Sequence, residues 1–228
     1  MSRNKIALSF ALAGILGAST ALAETDGAFV GVQAGYGGLK VKIERENKDA
    51  NDASNNQSET LFNESMGGFR YGFLAGYKQF FTPEFGARYY ASVDLGTDYK
   101  KDITEGGTKT TIKVSSYNIA ANADALYNFI SSSDLDFGAF LGLSLGYANH
   151  KLKGTDGSPD IKPSGFDLGI NFGLRTNIAQ NHGIELYSRF GVLQQKKEIK
   201  ETYDGSEVIM TYKAQQPYQV GLRYVFSF

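Results

Sequence analysis

Tyr117-Asn118-Ile119-Ala120-Ala121-Asn122-Ala123-Asp124-Ala125-Leu126-Tyr127-Asn128 decides the fold. Tyr117, Ile119, Ala121, Ala123, Ala125 and Tyr127 carry an apolar series at every second position, interleaved with Asn118, Asn122, Asp124 and Asn128. Successive side chains of a strand point to opposite faces, so this period of two reads as one strand with an apolar and a polar face. A helix would repeat its apolar positions every three or four. The apolar stripe is six residues deep. That suits the ~9 to 11 residues of a tilted membrane-crossing strand better than the ~5 to 6 of an average soluble one. Tyrosines close the stripe at both ends, where the aromatic girdles of a membrane barrel sit.

Working outward, the same split occurs seven more times. Its apolar faces are Val30, Val32, Ala34 and Tyr36; Phe69, Tyr71, Phe73, Ala75 and Tyr77; and Ala87, Tyr89, Ala91, Val93 and Leu95. Towards the C-terminus follow Phe137 to Tyr147, Phe166 to Leu174, the less regular Ile184, Leu186, Phe190 and Val192, and Tyr218 to Phe228, each at alternate positions. Turns of about four residues at 81–84, 131–134 and 179–182 alternate with longer polar connections at 44–66, 100–109, 149–164 and roughly 194–216. Eight antiparallel strands with short turns at one end and long loops at the other predict an all-β, eight-stranded antiparallel transmembrane β-barrel of the outer-membrane type. Both termini are expected in the periplasm and the long loops outside the cell. A secreted soluble sandwich or lipocalin-like barrel is the competing fold. The stripe lengths and the aromatic stripe ends weigh against it.

The ends and the composition agree. Arg3 and Lys5 precede an apolar run from Ile6 to about Leu16, and Ala21-Leu22-Ala23 stands before Glu24, the pattern of a cleaved signal peptide. Cleavage after Ala23 leaves 205 residues, 24–228, with 21 basic and 24 acidic side chains. With no cysteine, an exported chain must hold together by hydrogen bonding and burial. A net charge of −1 gives no electrostatic case for nucleic acid. No cofactor is implied.

The polar faces would line the interior. They hold Arg70, Lys78, Arg88, Arg175, Arg189 and Arg223 against Asp94, Asp124, Asp167 and Glu185. An eight-stranded barrel is just wide enough for its side chains. Charges in so narrow a space must be paired, and mixed signs favour a closed network over the one-sign lining of a selective pore. Tyr90, Leu126, Phe140 and Tyr187 would fill the space further. A small porin-like channel for ions or small solutes is the alternative.

Catalysis and metal binding have little to stand on. The two histidines, His150 and His182, lie at opposite ends of the expected barrel, and no serine nucleophile accompanies His150, although Asp98 or Asp102 could approach it. His150 lies at the loop end of strand five; if it is merely a surface residue, His150→Ala leaves any activity unchanged, and the chain is not expected to be an enzyme. Recognition therefore falls to the long loops. The first, at 44–66, has six acids against two bases and reads as a solvated loop. In the last, Lys196, Lys197, Lys200 and Lys213 surround an alternating stretch at 208–212, which reads as an extension of the two flanking strands beyond the membrane. Such edges could pair with foreign strands or touch a host surface ligand.

The final strand carries the sharpest local signal: Gln219, Gly221, Tyr224, Phe226 and a terminal Phe228. It resembles the segment by which the barrel assembly machinery recognises its clients, an edge strand with one aromatic face open to strand addition. Together with Ala123-Asp124-Ala125-Leu126-Tyr127-Asn128-Phe129, Gly173-Leu174-Arg175-Thr176-Asn177-Ile178 and Asn181-His182-Gly183-Ile184-Glu185-Leu186, it makes the chain resemble the Helicobacter-type outer membrane protein family. In size the chain is similar to the small eight-stranded barrels of the OmpA and OmpX type. The resemblance implies an outer-membrane barrel in contact with lipid, assembled with that machinery and periplasmic chaperones, and a monomer is expected. Larger relatives act as adhesins or porins. This chain lacks their large extracellular domain, so that route to adhesion does not carry over. The expected role is a structural, surface-interaction protein of the envelope.

Overall fold

The structure, a computed structural model, describes residues 24–49, 54, 56–105, 108–132, 134–153, 159–203 and 206–228. The expected signal peptide, with Ala21 and Ala23, lies outside them. Ten strands follow in order: β1 (Gly27–Asp49), β2 (Gln57–Phe80), β3 (Phe85–Glu105), β4 (Thr108–Ser131), β5 (Leu135–Leu152), β6 (Ser164–Ile178), β7 (His182–Gly191), β8 (Gln195–Tyr203), β9 (Ser206–Gln215) and β10 (Tyr218–Ser227). Eight of them close into a ring, each antiparallel to its neighbours. β1 to β7 pair in sequence and β10 returns between β7 and β1. The other two, β8 and β9, form a hairpin that continues β7 and β10 past the ring, with β9 paired to β1.

Closure leaves no strand edge within the ring, the condition for backbone to cross hydrocarbon. At the closing seam Gly35 of β1 faces Gly221 of β10, and a Cβ on either would collide with the backbone of the opposite strand. The short turns fall where expected. The one between β6 and β7 places Ala179 and Gln180 in left-handed backbone, at φ 51° and 64°.

The outer face of the ring is apolar: Val32, Phe73, Leu141, Leu143, Leu145 and Leu222 are all exposed. Tyr36, Phe69, Tyr117, Tyr147, Phe166 and Tyr218 edge this band on the long-loop side, and Phe81, Phe85, Tyr127, Phe129 and Phe228 on the short-turn side. From Tyr117 to Tyr127 the strand rises ~33 Å, or ~25 Å along the axis of a barrel tilted by ~40°, matching the ~25 Å apolar band of such barrels.

Above the upper aromatic edge the pattern inverts. In β1 the apolar phase passes from Val30, Val32, Ala34 and Tyr36, which point out, to Leu39 and Val41, which are fully buried. In β4 Val114 is buried while Tyr117 and Ile119 are exposed in the opposite phase. Leu39, Val41, Met66, Tyr99, Val114 and Leu152 pack into one core, with Ile43, Phe62, Ile112 and Tyr212 against it. This core corrects the reading of 44–66 and 100–109 as loops. β1 and β2 stay paired from Gly27 and Lys78 up to Asn47 and Gln57, and β3 and β4 up to Glu105 and Thr108. The chain here is a soluble barrel wall standing on a membrane ring, because water outside rewards apolar groups turned inwards where lipid rewards them turned outwards.

Candidate functional site: the barrel interior and the wall above it

All ten charged residues expected on the inner face are buried there. The strand register explains how they meet. Arg88 lies opposite Asp124 across β3 and β4, and Arg223 and Arg175 both lie opposite Glu185, from β10 and β6 on either side of β7. Arg88 Nε donates to Asp124 Oδ2 at 2.9 Å and its Nη1 to Glu185 Oε1 at 2.5 Å. Arg223 Nη1 meets Glu185 Oε2 at 3.1 Å, and its Nε donates to Gln33 Oε1 at 2.9 Å. Aromatic faces complete the packing, with the Arg88 guanidinium 4.5 Å from the Phe140 ring centre and that of Arg223 4.8 Å from Tyr187.

Towards the long-loop end, Arg189 pairs with Asp167 at 2.7 Å, and Asn118 donates to the same carboxylate. Asp94 accepts from Gln33 and from Gln219. Arg70 donates to Gln219, to the Tyr99 hydroxyl and to Ser116, all neutral oxygens. Gln219, singled out as part of the assembly signal, thus also links Arg70 and Asp94 and donates to the Tyr187 hydroxyl.

Towards the short turns the structure adds an acid that strand patterning does not reveal. Glu24, ahead of β1, folds into the ring and accepts from Arg175 at 2.6 Å and from Lys78 at 2.7 Å. Asp136 is a second addition, buried and accepting from Ser131 and Asn177. It shares the inward phase of Gly138 and Phe140 in β5, so strand parity could have identified it. With these two, the buried acids among the described residues number six, equal to the six buried Lys and Arg. The cavity bounded by Lys78, Arg88, Arg175 and Glu185 measures about 10 Å³, roughly the space of one water.

His150 is not at the surface. It is buried at the top of β5, where its Nε2 lies 3.1 Å from Gln195 Oε1, and burial pushes the imidazole down to about 4. Asp102 instead accepts from Thr111 on the neighbouring strand. At the far end His182 lies 2.7 Å from the Tyr224 hydroxyl. Among the described residues no group of three or more His, Cys, Asp or Glu could hold a metal ion.

On the sheet formed by β2, β1, β9 and β8 above the ring, lysines and glutamates form ion pairs. Glu44 sits between Lys42 and Lys213, and hydrogen bonds from Lys213 and then Lys42 hold its carboxyl below the usual carboxylate range. Lys48 pairs with Glu46, and Lys200 with Glu207. Past its one bridge to β6, β8 carries Lys197, Glu198, Lys200 and Glu201 around a single Ile199, a guard against unwanted strand pairing.

A closed ring with an apolar band, aromatic rims and a polar interior defines an outer-membrane-type β-barrel. Residues 72–228 match the family described as Helicobacter outer membrane protein, and the chain belongs to that family. No curated protein matches the chain. Among solved structures it is similar to the outer membrane protein OprG from Pseudomonas aeruginosa, with 12% identity, coverage of 90% of this chain and 99% of that one, and a TM-score of 0.53. It is also similar to Neisserial surface protein A, with 15% identity, 90% and 100% coverage and a TM-score of 0.48. A third similar structure is Ail, the attachment invasion locus protein of Yersinia pestis, with 15% identity, 89% and 100% coverage and a TM-score of 0.35.

Proposed function

We propose that this protein is a non-enzymatic, monomeric scaffold of the outer membrane whose ring is closed to solutes and whose wall above the membrane makes surface contacts. Both termini lie in the periplasm, and the β1–β2, β3–β4 and β8–β9 hairpins stand outside the cell. The observation that carries the reading is the filled interior: charges paired with one another or hydrogen-bonded to neutral side chains, with Tyr90, Leu126, Phe140 and Tyr187 buried among them and about 10 Å³ left at the Arg88–Glu185 level. A pore would need water where these groups satisfy one another. The wall supplies a rigid, charged platform in place of mobile loops, suited to host or envelope ligands.

Gln219, Gly221, Tyr224, Phe226 and Phe228 act as the assembly signal, read by the barrel assembly machinery while β10 is still an unpaired edge. Chaperones in the periplasm would shield the same aromatic face before insertion.

Planar-bilayer conductance of chain 24–228, refolded and shown to be inserted, tests the closed ring. Silence is the expected result. Reproducible single-channel steps that change on replacing Arg88 or Arg175 would establish the porin-like alternative instead.

A further inference from the structure

Lysines stand beside one another at two places on the outer surface of the wall. On the β1-β9-β8 sheet Lys42, Lys213 and Lys196 are register neighbours, and Glu44 bonds both Lys42 and Lys213; a second group lies above the upper aromatic edge of β3, β4 and β5. Lys100 is the register partner of Lys113. The segment before β6 runs antiparallel to β5, with Ile161 paired to Leu152 and the Pro163 carbonyl accepting from the His150 amide, which places Lys162 beside Lys151. Lys153 follows, its amide bonded to the Lys113 carbonyl. Strand alternation sends these side chains outwards, since Val114, His150, Leu152 and Pro163 between them are buried.

Like charges directly opposite one another across strands are destabilising, so the Lys151–Lys162 pair calls for counter-charge. Asp160 meets Lys151 at 2.7 Å. Lys113, Lys153 and Lys162 have no ion pair among the described residues.

The patch contains a cavity of about 310 Å³ lined by Ser115, Ser116, Tyr117, Asn149, Lys151 and Lys162. Tyr117 belongs to the aromatic edge, and Ser115 and Lys151 are register partners one outward position above it and Asn149. This depth is the headgroup layer, where tyrosines and lysines meet lipid phosphates. Two ammonium groups, the Ser115 and Tyr117 hydroxyls and the Asn149 amide suit a phosphate and the sugar or glycerol that carries it.

We propose that this cavity binds the phosphorylated headgroup of an outer-leaflet lipid, with Lys151 and Lys162 meeting the phosphate, Lys113 adding charge, and Ser115 and Asn149 bonding the attached sugar. The inference rests on the orientation proposed above, with the long hairpins outside.

The test is native mass spectrometry of the folded chain in detergent, titrated with diphosphorylated lipid A, its dephosphorylated form and heparin. Lys151→Gln with Lys162→Gln should weaken diphosphorylated lipid A binding ~10- to 30-fold, at ~1 kcal/mol per lysine near an anionic surface. Lys48→Gln with Lys200→Gln, on the opposite sheet, should leave it unchanged, and the dephosphorylated form should bind weakly to every variant. Unchanged affinity in the Lys151/Lys162 double variant, or equal binding of the two lipid forms, overturns the site. Heparin binding that the lipid cannot displace overturns it in favour of a sulfated polysaccharide. Labelling of Lys162→Cys on intact cells separates the two readings. Protection there, with phosphate selectivity kept in detergent, overturns the outer-leaflet source and the orientation together while leaving the chemistry of the cavity standing.

Discussion

The ring and the wall above it are built from the same continuous strands, yet they obey opposite rules. In β1, Val32 and Tyr36 face outwards and Gln33 faces in, whereas a few residues on Leu39 and Val41 face in and Lys40 faces out. At Gly37 and Gly38 the strand and its register with β2 run on unbroken while its other partner passes from β10 to β9, and what changes with them is the solvent beyond the wall. The ring buries charges because lipid lies outside and the interior must be filled by groups that satisfy one another. The wall buries leucine and valine because water surrounds it. The position where the apolar phase slips by one residue therefore marks the membrane surface.

That contrast is most exposed to attack at Glu185. Glu185→Ala would strand Arg88 and Arg223 in the interior, at a cost of about 3 to 5 kcal/mol for a broken buried pair. Urea unfolding in micelles, followed by tyrosine fluorescence, should show the midpoint falling sharply. An unchanged midpoint would mean that water, not pairing, stabilises the interior.

Two leucine truncations compare the regions directly. Leu39→Ala should cost about 2 to 4 kcal/mol, because it empties a site in the wall core. Leu222→Ala, exposed on the ring, should cost far less in lipid, since hydrocarbon fills the space a leucine leaves. Equal losses would erase the proposed inversion. Hydrogen exchange of the β1–β9 amides would locate the Leu39 effect in the wall.

Acid should loosen the wall before the ring. Buried His150 is neutral in the folded protein, so the unfolded chain binds the extra proton. The wall keeps its full stability above the ordinary histidine value of 6.5 and loses it as pH falls from there towards about 4. The loss is about 3 kcal/mol across that window. Amide exchange near His150 and Gln195 should accelerate in acid, and His150→Gln should flatten the dependence. The smallest effect belongs to the exposed Lys48–Glu46 pair, where Lys48→Ala should shift stability by less than about 0.5 kcal/mol. A larger shift would show that the paired charges of that sheet act as a network.

Much of this is legible in the residues. Strand parity alone puts Arg88, Glu185 and Arg223 on one face, and Tyr90 and Phe140 with them. The wall escapes a reading by composition, which turns the polar stretches 44–66 and 100–109 into loops. Their phase is the better signal: Leu39, Val41 and Ile43 repeat every second residue, one step out of register with Tyr36. Asp136 is legible by the same parity. Glu24 is not, because it precedes the first strand and no period governs it.

The sequence by itself determined the class of fold, since a period of two sustained over eight stripes leaves the chain no other way to separate its apolar and polar faces. It also determined which charges within the strands of the ring point inwards. Only the tertiary structure decided which cation meets which acid, that Glu24 closes the short-turn end, that His150 is buried against Gln195, and that Lys162 lies beside Lys151. Each of these joins residues far apart in the chain whose meeting depends on strand register and ring closure, and neither is encoded in a local pattern.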